Sequence, residues 1–267
     1  MTNFAKSDVD ALEQAVQLLE HPGLMARLAD MVGAPIEKGF SMLPSDWRER
    51  IGKVTSNALR KALAVAVRSL RDDDQDIEIS NWWHKAVVTV SGATSGALGL
   101  GALALELPVS TTVMLRSIAG IARSEGRDID DMKTRLECLE VLAFGSSEGK
   151  DKVEASENGY WAVRTAMARA VAEAAGFIAE RGLAEEGAPP LLRLITAVSS
   201  RFGVVVSEEA AAKAIPLIGA FGGAAVNYLF MDHFQNMAKG HFTVRRLEEK
   251  YGEAAVRREY DRLAMAA

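Results

Sequence analysis

The side chains of this 267-residue chain best suited to proton transfer, nucleophilic attack or metal ligation are four histidines and one cysteine. His233 and His241 are eight residues apart, so on one unbroken helix they face roughly the same side about 12 Å from each other, too far to share a metal. A helix end at Gly240, between them, would change that spacing. Asp232 and His233 are chain neighbours, and neighbours on a helix point about 100° apart, so they do not orient one another as an acid–base dyad. His21 precedes Pro22 and reads as surface. His84 follows Trp82-Trp83, a pair suited to a helix start or a bilayer interface. Cys138, within LECLEVLAFG, reads as a buried free thiol and favours a reducing compartment. Neither it nor any serine sits in a nucleophile motif. We therefore expect no catalytic residue, no metal set and no cofactor.

The elements that must position these side chains are helices. Apolar residues recur at three- and four-residue intervals in nearly every segment between breakers, and strand-like alternation is almost absent, Val204-Val205-Val206 being the only strand-like triplet. The fold class expected is all-α, a helical bundle. A first helix opens near Ser7 and ends at Pro22-Gly23, and a long amphipathic one follows Pro44. Asp72-Asp73-Asp74-Gln75-Asp76 reads as a solvated linker and divides an N-terminal helical extension, 1–76, from a helical domain, 77–267. Beyond it, Gly126 reads as a C-cap and Asp128 as an N-cap; a helix from about Asp151 closes at Gly182, another runs from Ser207 to Met237 with Pro216 inside, and two basic helices begin at His241. The composition, 49% hydrophobic and 25% charged, excludes disorder and a disulfide scaffold, and the net charge of -5 argues against nucleic-acid binding. The first thirty residues carry charges throughout, so no secretory signal is expected.

Two stretches lack charge altogether. Between Lys85 and Glu106 lies AVVTVSGATSGALGLGALAL, long enough to cross a hydrocarbon core as helix, with Gly92/Gly96 and Ala97/Gly101 spaced for close helix contact. Glu106-Leu107-Pro108 then predicts a break, so that 86–115 forms a helical hairpin with Pro108 in its turn. Between Lys213 and Asp232, AIPLIGAFGGAAVNYLFM repeats the spacing at Gly219 and Gly223. Both runs fit two descriptions, central helices of a soluble bundle or segments that enter or lie on a membrane, with Arg116, Arg123 and Arg127 holding the flank on the cytoplasmic side. The first run also resembles the glycine-rich turn of short-chain dehydrogenases. No strand–helix alternation follows it, however, and no tyrosine has a lysine four residues later, Tyr160 being followed by Arg164.

Several blocks taken in order resemble the bacterial EcsC family. They are Trp82 with Lys85-Ala86, the glycine-rich run, Glu106 to Pro108, LRSIAGIARSEG (115–126), Tyr160 with Arg164, IPLIGAFGGAAVN (215–227) and F-x2-HF-x2-MAKGHFTVRRLEEKYG (230–252). The likeness extends over about 82–260, with Glu106 standing where the family pattern leads one to expect aspartate. The resemblance implies an accessory of an ABC exporter with no established activity of its own and no catalytic residue to carry over. The positions it marks are Arg116, Asn227, His233, His241, Phe242, Arg245 and Arg246. As residue types they make a polar helix lining and a basic edge able to hold a carboxylate, a phosphate or an anionic lipid headgroup. Arg245-Arg246 followed by Glu248-Glu249 equally describes a salt-bridged helix surface. The function expected is that of a non-enzymatic protein on the cytoplasmic side of the cell membrane, associated with lipid and beside a membrane transporter. The alternative is a soluble helical enzyme or small-ligand binder with a pocket near His233 and His241.

Overall fold

In the computed structural model the residues described are 4–20, 24–33, 37–69, 99–145, 159–182, 188–215 and 223–266. Among them are ten α-helices, one 3-10 turn and no strand, so the fold is all-α. The helices are α1 (Lys6–Glu20), α2 (Leu24–Val32), α3 (Glu37–Met42), α4 (Trp47–Ser69), α5 (Gly99–Ser124), α6 (Met132–Glu140), α7 (Gly159–Arg181), α8 (Pro189–Ala214), α9 (Gly223–Tyr251) and α10 (Glu253–Ala264), with the 3-10 turn at Val141–Ala143. The acidic stretch taken as a domain boundary, the first run before Gly99, and residues 216–222 of the second run lie outside the described residues.

Local chemistry sets the ends. Gly126 closes α5 with φ +82°, and the Arg127 N–H returns to the Ala122 carbonyl at 2.9 Å. The next helix is capped by Asp131, whose carboxylate accepts from the Thr134 N–H at 3.1 Å. Asp128, expected to be that cap, instead accepts from the Asp130 N–H at 2.8 Å and turns the preceding loop.

Two expected breaks are absent. Pro108 lies inside α5, so the described part of the first run contains no turn there. Hydroxyls one turn on cover the carbonyls around the proline: Thr111 and Ser110 donate to the Leu107 oxygen at 2.6 and 3.2 Å, and Thr112 donates to the Pro108 oxygen at 2.9 Å. Gly240 does not end a helix either. A Cβ there would run into the Leu19 side chain, so its lack of one lets α1 close onto an uninterrupted α9. Conversely, the helix expected over 207–237 is two helices, since α8 stops at Ala214 with the valine triplet inside it and α9 begins at Gly223.

The core is aliphatic and aromatic, with Leu12, Leu59, Ile118, Leu139, Val198, Phe202, Phe234 and Phe242 all sealed from solvent. Cys138 is buried in it as a free thiol, as expected. Three cross-links fix how α5 and α9 lie: Asn227 meets Glu106, Gln235 meets Ser117 at 2.8 Å, and Arg246 meets Glu125 at 2.7 Å. Both numbers rise together, so the two helices are parallel neighbours. α1 runs the other way along α9, with Asp8 at Lys250 and Leu19 at Gly240. α8 is also antiparallel to α9, with Phe202 against Phe230 and Phe234 and Lys213 at Glu106.

Candidate functional site

The parallel pairing of α5 with α9 places a polar cluster at each end, and the nineteen steps from Glu106 to Glu125 correspond to about 28 Å of helix. At the start of both helices is a buried clamp. The Lys213 ammonium lies 2.7 Å from Glu209 and 3.3 Å from Glu106, and the Asn227 amide donates to Glu106 at 2.8 Å. Burial pushes the Glu209 carboxyl up, while the two carboxylates hold the Lys213 ammonium in its charged form. Asn227 Oδ1 and Glu209 Oε2 have no hydrogen-bond partner among the described residues.

The larger cluster lies towards the other end, between α6, α7 and α9. Arg164 grips Glu248 through two bonds of 2.7 Å, the bidentate geometry that suits guanidinium and carboxylate. Arg245 bridges Glu248 and Glu137 at 2.9 Å each, and Arg127 joins Glu137 to Glu249. Tyr160 and His241 adjoin this chain of charges, the phenol oxygen 3.0 Å from His241 Nδ1 and 3.4 Å from Arg164. Burial, then the surrounding arginines, hold the His241 imidazole well below its ordinary range, so it is neutral. Arg164 donates to the phenol oxygen, while the direction of the Tyr160–His241 bond depends on the imidazole tautomer; the other ring nitrogen is Nε2. That nitrogen has no partner among the described residues. Glu140, at the end of α6, is 3% exposed, and burial together with the nearby Glu137 carboxylate pushes its carboxyl up to about 8. It carries its proton at neutral pH, and its Oε1 also lacks a partner among the described residues.

The chain matches the EcsC protein family over residues 6–247. It belongs to that family. The match begins within α1, so it takes in N-terminal helices upstream of the blocks that carried the likeness in the sequence. No curated protein and no solved structure matches the chain.

On the fold of this EcsC-family chain the seven marked positions separate. Asn227 belongs to the clamp, and His241 and Arg245 belong to the charged network. Arg246 is at its rim, paired with Glu125 at 2.7 Å and Asp8 at 3.7 Å. Phe242 is in the core beside the His241 ring. His233 is buried against Gly145, whose φ of +74° and lack of a Cβ leave room for the imidazole. Arg116 is half-buried midway along α5 and engaged within the fold. The arginine edge is thus occupied by this chain's own carboxylates. Among the described residues no three His, Cys, Asp or Glu side chains gather as a metal site.

Sequence reasoning missed Glu106, Lys213 and Glu209 as a unit, as well as Glu137 and Glu140, while the Arg245–Glu248 pair matches the salt-bridged surface it described. The one signal available was spacing: Glu209 and Lys213 are four apart, as are Tyr160 and Arg164, and in both cases the second residue faces a buried acid from another helix.

Proposed function

We propose that this EcsC-family protein is a non-enzymatic, membrane-associated helical protein that works from the cytoplasmic face, beside a transport system, with its uncharged end against the lipid. The observation that carries this reading is the parallel arrangement of α5 and α9. The described parts of both uncharged runs adjoin the Glu106–Lys213–Asn227 clamp, and beyond it both helices become charged. The end so defined also exposes large apolar side chains. Tyr228, next to Asn227, is 67% exposed and Val109, one turn from Glu106, is 38% exposed. Met42 of α3 is exposed on the short helix whose Gly39 abuts Ala211, close to Lys213. Exposed apolar side chains close to the clamp are a surface suited to an interaction site.

Among the described helices, α8 alone is long and apolar enough to span a bilayer. Thirteen of its residues are buried in the bundle, so it serves as a core helix and adds no weight to the reading. The competing reading, a ligand pocket at His233 and His241, meets walled-in rings: both histidines are buried, and neither groove found on the described surface is lined by them.

The test is flotation of the purified protein with lipid vesicles. Wild type is expected to float. Tyr228→Asp with Val109→Asp should stay with the soluble fraction while changing stability by less than about 1 kcal/mol, because both positions are surface sites. Wild type that remains monodisperse without detergent and never floats sinks the proposal.

A further inference from the structure

We propose that the outward face of α4 is the surface through which this protein selects anionic lipid headgroups. The C-terminal arginines were the natural candidates for that role, but Arg245 and Arg246 are already neutralised by Glu137, Glu248, Glu125 and Asp8. The positive charge left over is elsewhere. In its 23 residues α4 carries Arg48, Arg50, Lys53, Arg60, Lys61 and Arg68 against a single acid, Glu49, in a chain whose net charge is -5. Arg50 and Lys53 pair with Asp46 and Glu49 at exposed positions, where such pairs contribute little. Arg48, Arg60 and Lys61 are exposed and form no ion pair among the described residues.

The shape of the helix face fits the same role. Arg48, Gly52, Ser56 and Arg60 line a shallow concavity of about 500 Å³ together with Lys53 and its partner Glu49. Guanidinium pairs phosphate oxygens through parallel N–H donors, and the acid on this strip, Glu49, is already paired with Lys53. At the start of the helix Trp47 is half-buried against Phe40 and stacked under Arg48, its ring centroid 5.0 Å from the guanidinium carbon. An aromatic ring under a cation, beside exposed Met42, suits the boundary between headgroup and acyl chain. Trp47 lies at the uncharged end of the bundle, since α3 joins it to Ala211 of α8. The headgroup strip therefore begins where the apolar end stops, and bilayer contact at one favours contact at the other.

This inference rests on the membrane reading above, and vesicle composition separates the two. Binding is measured by co-sedimentation with neutral phosphatidylcholine vesicles and with vesicles in which part of that lipid is replaced by phosphatidylglycerol. Wild type should bind the anionic vesicles far more tightly, with the difference removed by high salt. Arg48→Glu/Arg60→Glu/Lys61→Glu should lose on the order of 100-fold in binding to anionic vesicles and nothing on neutral ones. A control with the same charge change, Lys6→Glu/Lys239→Glu/Arg258→Glu, should retain most of the anionic preference. Circular dichroism melting of both triple variants should match wild type. If the α4 variant keeps full anionic preference, or the control loses as much, the headgroup strip is refuted while the membrane reading stands. If wild type binds neither vesicle, both fall. Displacement by inorganic phosphate as efficient as that by chloride of equal ionic strength is expected; much stronger displacement would mean a free-phosphate site and overturn the lipid assignment.

Discussion

Glu140 shows what a residue type means once its surroundings are known. In sequence it is one of 36 acids, two residues from Cys138. In the fold it is buried with an oxygen unpartnered among the described residues, so removing its charge stabilises the folded state. Its folded pKa of about 8 is above the ordinary 4.5, so between those values the native chain holds a proton that the unfolded chain has lost. Stability contributed by this group must fall as pH rises through that window. His241 works in the opposite sense. Its folded pKa is depressed, so stability is lost as pH drops below about 6.5, where the unfolded chain gains a proton that the native one refuses. The two slopes oppose each other in acid, and from about pH 6.5 to 8 only that of Glu140 remains. Thermal melts of wild type should therefore decline over that interval, and Glu140→Gln should flatten the decline and exceed wild type at pH 8 by about 1 to 3 kcal/mol, roughly 2 to 4 °C of Tm per kcal/mol. Parallel wild-type and variant curves would contradict the assignment. The burial of Cys138 is legible because its neighbours are apolar; that of Glu140 is not, because charges near it, Arg164 and Arg245, come from α7 and α9.

At the scale of elements, periodicity found nearly every helix, while the reading of breakers failed in both directions. Pro108 predicts a turn, yet α5 runs on through it, with the hydroxyls of Ser110, Thr111 and Thr112 bonded back to Leu107 and Pro108. Gly240 was taken as an end, yet it is where Leu19 needs room. At Gly240 the local chain only permits a break, and the partner helix decides what is used. The same dependence explains why the charged network was only half visible. Tyr160 and Arg164 share a face of α7 by spacing, but nothing local says that Glu248, 84 residues on, completes the pair. Its energetics follow from burial, since the Arg164 and Glu248 side chains are 12% and 5% exposed. Removing one member strands the other charge, so Arg164→Met should cost about 3 to 5 kcal/mol, whereas Arg164→Met with Glu248→Leu should recover much of that loss. Urea unfolding of the two single variants and the double one measures this coupling. Additive losses would mean that the bond contributes nothing beyond its parts.

For the whole molecule the decisive property is polarity along the bundle, and no window of sequence contains it. The two uncharged runs are about a hundred residues apart in the chain, and each alone fits a core helix as well as an inserting one. Only the parallel register of α5 on α9, fixed at Glu106–Asn227, Ser117–Gln235 and Glu125–Arg246, brings their described parts to one end, at the Glu106–Lys213–Glu209 clamp, and leaves the larger arginine network towards the other. That register makes an orientation on the membrane testable by chemistry. The only cysteine, Cys138, is fully buried, and burial pushes its thiol well up, so wild type gives almost no background with a water-soluble maleimide. Single substitutions Tyr228→Cys and Arg258→Cys place a reactive thiol at the apolar end and on the exposed face of α10, respectively. Without lipid both should label readily. With anionic vesicles position 228 should become protected while position 258 keeps its rate, because the lipid then covers one end of the bundle and leaves α10 in water. Equal protection of both would indicate aggregation or burial of the whole protein, and unchanged labelling at position 228 would mean that its exposed tyrosine serves a protein partner or the solvent, with the bilayer elsewhere.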